Sequence, residues 1–407
     1  MLCNLALRGF TLGSRFLLLF ALAHWLEPFD VGMIGLLTAI IGYGIYVVGL
    51  EFYTFSAREL IHAPPAHRAW LLWHQGLLHT FAFLIGVIVL YVASIAQWIP
   101  NEYFGWLCAL LLLEQVAQET YRILVALSRQ LTASLVLFVR TGAWCLVVIG
   151  AMALEPSLRH VHFVLACWTG GAAIACLLGL VGLGKAVKFS RPVTWDFHWI
   201  QRGLRIALPL FAASLAIRGM ATFDRFMVES AAGLDVVGAY VLFASVAVAV
   251  LAFLDAGVVD FAYPRLVALT RSHDIRGFLE EMGKVRTKIL WMTALLVAGA
   301  LTSSHILVRL LDRPTYTENL VLVHSLLAIA VLNALSIIPH LGLYALRQDR
   351  SIVVSQLLGC AVFVSVALAG LPSIGIHAIL LGLAAGWTLI LLWKAHAYKR
   401  LIHQLNG

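Results

Sequence analysis

Long apolar runs, broken by clusters of charge, proline and glycine, follow one another along the whole chain. A helical membrane span needs about 20 mostly apolar residues. With Pro, Gly and charge as punctuation, twelve runs qualify, near 8–26, 31–56, 70–98, 101–127, 131–153, 161–184, 204–223, 236–262, 287–308, 320–345, 351–371 and 374–393. The connectors are short, so no sizeable extramembrane domain is expected. The predicted fold class is an all-α polytopic membrane protein of about 12 transmembrane helices, arranged in two six-helix lobes with a pseudo-two-fold repeat.

Composition removes the alternatives. Of 407 residues, 62% are hydrophobic and only 12% charged, against roughly 45–50% and 25% in soluble domains. A folded chain of this size needs a polar coat that this sequence cannot supply. A soluble enzyme, a nucleic-acid binder and a disordered scaffold are therefore excluded. The net charge of +8 fits the cation bias of membrane proteins. With the N-terminus in the cytoplasm, 21 of the 28 Lys and Arg residues fall on cytoplasmic connectors and ends, among them Arg58, Lys188, Arg191 and Lys394. Four (Arg159, Arg225, Arg309, Arg313) fall on the opposite side and three (Arg15, Arg140, Arg218) inside spans. That asymmetry places both termini in the cytoplasm. No small-x-small cleavage site follows the first apolar run, so it is expected to be a retained span. The six cysteines, scattered through apolar segments without a Cys-x-x-Cys pair, read as small buried apolar residues.

The basic connector divides the chain into a six-helix lobe at 1–184, a cytoplasmic linker at 185–203 and a second six-helix lobe at 204–407. The halves share a pattern. Asp30-Val31-Gly32 opens the second span of the first half, which carries Glu51 and ends at Arg58. Asp235-Val236-Val237-Gly238 opens the second span of the second half, which carries Asp255 and ends at Pro264-Arg265. Parallel repeats about an axis along the membrane normal suit rocking of two lobes around a site near the midplane.

Charges inside spans are costly, about 2.5–3.5 kcal/mol on insertion scales, so they face a partner, the bundle interior or a wet cavity. Arg8, Thr11 and Arg15 form one stripe of the first span, and Glu51 and Arg58 share the second. Gln115, Gln118 and Arg122 form a stripe on the fourth, beside Glu114 and Glu119. Arg218, Thr222 and Arg225 repeat the pattern on the seventh, next to Asp224. Asn333, Ser336 and His340 align on the tenth, where Pro339 is expected to kink the helix. Asp255 and Asp260 are expected on different faces. Plainer roles exist for several of these. Arg8, Arg58, Arg122, Arg225 and Arg265 suit interfacial anchors, Asn333 and Ser336 suit interhelical glue, and Glu114 suits a partner for Arg122 or Arg140. Arg15 and Arg218, in the opening span of each half, would line a cavity for an anion, since the planar guanidinium fork matches phosphate. The candidate substrate-binding set is Arg15, Arg140, Arg218, Arg225, Arg122, Gln118 and Asn333, and the candidate ion-coupling set is Glu51, Asp255 and Glu114. There is no P-loop, no catalytic constellation and no histidine pair with further strong metal ligands, so neither enzyme, cofactor nor metal is expected.

The stretch Pro209 to Pro264, with Arg218, Asp224-Arg225, Val237-Gly238-Ala239-Tyr240 and Tyr263-Pro264, resembles the Wzx-type polysaccharide-repeat flippases of the multidrug/oligosaccharidyl-lipid/polysaccharide exporter superfamily. Arg8-Gly9 with Leu26-Glu27-Pro28-Phe29-Asp30-Val31-Gly32 is similar to that family's opening. Leu346-Arg347-Gln348-Asp349-Arg350 and Pro372-Ser373-Ile374-Gly375-Ile376-His377-Ala378 also fit its pattern. Glu27, where the family more often has a small residue, and the very short loops depart from it. The resemblance implies a flippase in the bacterial inner membrane that moves an undecaprenyl-diphosphate-linked oligosaccharide between leaflets for surface polysaccharide biosynthesis. It also implies a cationic cavity, ion coupling at Glu51 or Asp255, and as partners the lipid bilayer and other polysaccharide-assembly proteins, with no nucleic acid. Two rivals are a membrane-embedded polysaccharide polymerase or ligase, which would want a large external loop, and a cation-coupled drug antiporter of the same superfamily, which would want a cavity dominated by acidic residues.

Overall fold

The computed structural model describes residues 2–188, 194 and 196–406. Arg191 of the basic connector lies outside the described residues, as do the side chains of Cys3 and Arg8. All regular structure among the described residues is helical. The helices are α1 (Leu2–Trp25), α2 (Pro28–Gly49), α3 (Tyr53–His62), α4 (Pro65–Ile95), α5 (Asn101–Ala126), α6 (Gln130–Leu154), α7 (Val161–Ala186), α8 (Phe197–Ala232), α9 (Leu234–Arg271), α10 (Ile275–Leu311), α11 (Pro314–Glu318), α12 (Val321–Ala345), α13 (Asp349–Ile374) and α14 (Ile376–Asn406). Ten are long and apolar enough to cross a membrane. The charge-bearing α1 and α5, 24 and 26 residues long, fill the first and fourth predicted spans. The second span differs from expectation: it stops at Gly49, and residues 53–62 form the separate short helix α3.

Local chemistry sets the helix ends. Pro65 starts α4, where its missing N–H has no helical partner to lose. Five helices finish on one left-handed non-glycine residue, Asp312 after α10 and, at four further ends, Gln97, Ser128, His273 or Arg347. At those four ends the next N–H returns to a carbonyl five residues back: Trp98 to Ala93 (3.0 Å), Arg129 to Leu124 (2.8 Å), Asp274 to Leu269 (3.1 Å) and Gln348 to Leu343 (2.9 Å). This closure satisfies orphan carbonyls of the last turn. Two helices contain a π turn, Val139–Ala143 in α6 and Asp255–Val259 in α9. Pro339 lies within α12, which continues through it to Ala345.

The chain forms two compact units, one of residues 1–26 and 36–215, the other of 27–35 and 216–407. The boundary near the middle of the chain falls inside α8, and the first turns of α2 belong with the second unit. In the first unit Phe52, Phe55, Leu60, Leu71 and Trp199 share a core. The start of α8 is fastened there: the Asp196 N–H donates to His74 Nε2 at 2.8 Å and Trp70 Nε1–H donates to the Thr194 carbonyl at 3.0 Å. In the second unit Val258, Leu266, Phe278, Val285 and Leu341 join α9, α10 and α12.

The two similar sequence motifs meet each other inside the second unit. A Cβ on Gly32 would strike the Leu234 carbonyl oxygen and lie 3.1 Å from the Gly238 nitrogen. A Cβ on Gly238 would strike the Pro28 carbonyl oxygen and lie 3.2 Å from the Pro28 Cα. Each glycine thus lets the other motif's backbone approach, as small residues do in membrane helix packing. Backbone atoms cannot rotate aside, so Gly32→Ala or Gly238→Ala must push α2 and α9 apart. We expect either to cost about 1–3 kcal/mol and to lower the unfolding midpoint in detergent by several degrees. Gly184→Ala, with open space around it, should not. Unchanged midpoints in the first two variants would refute the close approach.

Candidate functional site

In the first unit the structure brings Glu114, Gln118 and Arg140 together. Glu114 and Gln118, four apart on α5, share a face. Arg140 enters from the π turn of α6, where the wider helical turn re-aims the side chain. Its guanidinium donates to the Glu114 carboxylate and to Gln118 Oε1. Trp168 Nε1–H of α7 donates to the other Glu114 oxygen at 2.6 Å, and Trp144 stacks on Trp168 with centroids 5.6 Å apart. All the charge in this cluster is matched and buried. Its chemistry is that of a clamp across α5, α6 and α7, with two guanidinium donors already committed.

A second cluster lies one turn further along α5. Arg122 donates to Glu119 at 2.8 Å and lies over the Tyr53 ring at 3.8 Å from its centroid. Gln75 Nε2–H donates to the other Glu119 oxygen at 2.7 Å. Arg122 is thus paired with Glu119, on an adjoining face, rather than acting alone with Gln118. Glu51 is buried at the turn between α2 and α3.

Arg15 of α1, Arg218 of α8 and Asp255 of α9 are exposed on their helices. The charge of Arg15 reaches Cys145 of α6. Asp255 begins the π turn of α9, and Asp260 follows it. The α-helical expectation that they face apart is corrected: the i to i+5 repeat of a π turn brings the two exposed carboxylates into electrostatic reach of each other.

In the second unit Asp224 is buried, accepting from Tyr240 Oη–H at 2.6 Å and from the Arg225 N–H at 2.7 Å. Arg225 donates from a terminal guanidinium nitrogen to the Gly35 carbonyl at 2.9 Å, while its Nε has no partner among the described residues. This makes Arg225 a brace between α8 and the first turns of α2. Asn333 is half-buried on α12, on the face that carries the buried Ser336. His340 stacks on Tyr344 and lies within reach of the charge of Lys394.

Lys394 is the functional candidate that sequence reasoning missed. Counted with the cytoplasmic tail, it is only 4% exposed on the long helix α14. The signal was present, because Leu383, Ile390 and Lys394 fall on one stripe at helical spacing, and the first two are core residues. Gln75 and Trp168, partners of Glu119 and Glu114, were also missed. They come from other helices or adjoining faces, which single-helix periodicity does not connect.

Breaking one side of a buried ion pair costs about 3–5 kcal/mol, whereas replacing both partners by apolar residues is often neutral. Arg140→Met should therefore sharply reduce the folded protein recovered from membranes, and Arg140→Met with Glu114→Leu should recover most of it. Size-exclusion profiles of the extracted proteins check this. Equal yields from the single variant and the unsubstituted protein would contradict the clamp.

No family model matches the chain, and no curated protein is similar to it in sequence. Solved structures do match. An inward-facing conformation of a multidrug resistance MATE family transporter of the MOP superfamily superposes with a TM-score of 0.78 at 11% identity, over 97% of this chain and 95% of that one. An outward-facing conformation of a multidrug resistance MATE family transporter gives 0.58 at 12% identity, over 100% and 94%. A MOP superfamily transporter from Pyrococcus furiosus, whose binding pocket is described as reversed in polarity and suggestive of a different function, gives 0.57 at 10% identity, over 99% and 94%. This chain has the fold of those MATE family transporters.

Proposed function

We propose that the protein is a transporter that moves an undecaprenyl-diphosphate-linked oligosaccharide across the bacterial inner membrane by alternating access, for surface polysaccharide biosynthesis, with both termini in the cytoplasm. One observation carries the reading. Each half opens with a membrane-length helix that presents an exposed arginine near its middle, Arg15 on α1 and Arg218 on α8. An exposed guanidinium at that depth is tolerated where water or an anion meets it, and a diphosphate accepts its paired donors. The other predicted arginines take supporting roles. Arg140 and Arg122 are held by Glu114 and Glu119, and Arg225 braces a backbone carbonyl. The polyprenyl tail stays in the bilayer, because protein offers it nothing that lipid does not. Solved examples of this fold include inward- and outward-facing conformations, the two states that alternating access requires.

A specific observation also supports the drug-antiporter reading. The exposed carboxylates of Asp255 and Asp260 on α9 suit a cationic cargo, and multidrug transporters share the fold. One transporter of this fold is described as having a binding pocket of reversed polarity, so cargo charge is the discriminating property.

Proteoliposomes separate the two. With a fluorescent undecaprenyl-diphosphate sugar, we expect headgroup translocation that falls roughly tenfold or more in Arg218→Ala, the loss of one good guanidinium–phosphate contact. Arg218→Lys should recover only part of it. Cation-driven efflux of a cationic dye, lost in Asp255→Asn and unaffected in Arg218→Ala, would replace the first reading by the second.

A further inference from the structure

Lys394 is a buried charge without a counter-ion. It lies on α14, beside the last turns of α12 and the early turns of α10. A lysine near a helix end ordinarily extends its ammonium into water, yet Lys394 is only 4% exposed. Buried charges are ordinarily paired, because taking them out of water is expensive. Among the described residues Lys394 makes no ion pair and no hydrogen bond, and no carboxylate lies within electrostatic reach of it.

The neighbouring helices add donors and further positive charge. His340 of α12 lies within reach of the Lys394 charge, and its Nδ1 is a buried atom without a partner. One turn beyond Lys394, the Tyr398 ring rests on Gly342 of α12, where a Cβ would lie 2.7 Å from Tyr398 Cδ2. The bare glycine is what seats α14 this closely. Tyr398 is reached in turn by the charge of Arg286 from α10. Arg286 is exposed and takes part in no ion pair among the described residues. The carboxylates before it on α10 are already engaged, Glu280 by Arg276 and Glu281 by Arg265 and Lys284. Three helices thus bring a buried ammonium, a phenol and an exposed guanidinium to one end of the second unit. An ammonium supplies a point charge, a guanidinium a paired donor and a phenol one more hydrogen bond, which together suit a phosphate group.

The side chains around the cluster indicate where that phosphate comes from. Leu392 and Trp393, next to Lys394, are exposed, as are Leu290 and Trp291, one turn along α10 from Arg286. On membrane-length helices such residues meet acyl chains, and tryptophan takes the headgroup level. A phosphate held here would carry its hydrocarbon tails along surface that is already apolar. Basic pockets between membrane helices take anionic headgroups in this way.

We propose that Lys394, Arg286 and Tyr398 form a site for the phosphate of an anionic phospholipid headgroup, with His340 behind the lysine. Binding would supply the counter-charge that the protein itself does not. The lipid is a resident ligand and not the cargo of the transport reading. Every residue of the site belongs to the second unit, and binding is measured without transport, so either proposal can fail alone.

The test is the unfolding midpoint of the purified full chain in a neutral detergent at constant ionic strength. It is titrated in parallel with phosphatidylglycerol, with zwitterionic phosphatidylcholine and with inorganic phosphate. A ligand that binds only the folded state must raise the midpoint. We expect a saturable rise of a few degrees with phosphatidylglycerol, and none with phosphatidylcholine or with inorganic phosphate, which brings no tails. Lys394→Met removes an unpaired buried charge, so it should fold at least as well as the unsubstituted chain and lose the rise. Arg286→Gln should weaken the apparent affinity roughly tenfold (the 1.4 kcal/mol of one lost contact). Arg276→Gln, on the same helix but already engaged by Glu280, should keep the rise in full. If Lys394→Met does not accumulate, Arg286→Gln carries the test, because it alters an exposed side chain. No rise specific to phosphatidylglycerol, an equal rise with inorganic phosphate, or a full rise in both Lys394→Met and Arg286→Gln would overturn the proposal.

Discussion

Hydrocarbon does not solvate charge, and that constraint orders this molecule. Where a charge can be matched inside the protein, the structure matches it: Glu114 holds Arg140, Glu119 holds Arg122, and Tyr240 holds Asp224. Each match links different helices or fixes one helical turn, so polar groups that would be expensive alone become fasteners between spans. Buried, matched charges are scaffold, and exposed charges on membrane-length helices are candidates for work. Arg15, Arg218 and Asp255 are exposed on their helices, and Glu51 is buried.

The same constraint bears on two of the irregular stretches that carry charge. A π turn at Val139–Ala143 rotates Arg140 onto Glu114 and Gln118. The helix breaks at Leu50–Glu51, two left-handed residues in succession, where Glu51 is buried. Irregular backbone survives at membrane depth where protein or a wet cavity covers it, so each irregularity accompanies a polar group that needs its geometry. At the other extreme, Gly32 and Gly238 remove side chains altogether and allow backbone-to-backbone approach.

Much of the fold was legible in the sequence because apolar length is a strong signal. Ten of the predicted spans coincide with helices long and apolar enough to cross a membrane, and punctuation such as Pro65 marks where a helix begins. The interruption after Gly49 was not legible, since Leu50 and Glu51 are not residues that announce a left-handed turn. The polar stripes grouped Gln118 with Gln115 and Arg122 and set Glu114 beside them, and α-helical spacing could not show that Glu114 and Gln118 would meet Arg140 from a π turn or that Asp255 and Asp260 would draw together. Lys394 was obscured by the basic tail that follows it. Pairings across helices, such as Gln75 with Glu119 and Trp168 with Glu114, depend on packing that a single helical wheel does not contain.

The exposed arginines in the first helix of each half are read as the grip on a diphosphate headgroup, and the lipid pool of the cell tests that most directly. Undecaprenyl-diphosphate-linked oligosaccharides would be extracted from cells lacking the protein and assigned to a leaflet by their accessibility to an impermeant sugar-binding probe on spheroplasts. The repeat unit should accumulate and stay inaccessible from outside, and restoring the unsubstituted chain should return it to the outer leaflet. Unchanged amounts and accessibility of the lipid-linked sugar, together with new sensitivity to cationic drugs, would contradict the assignment of the exposed guanidinium groups to phosphate.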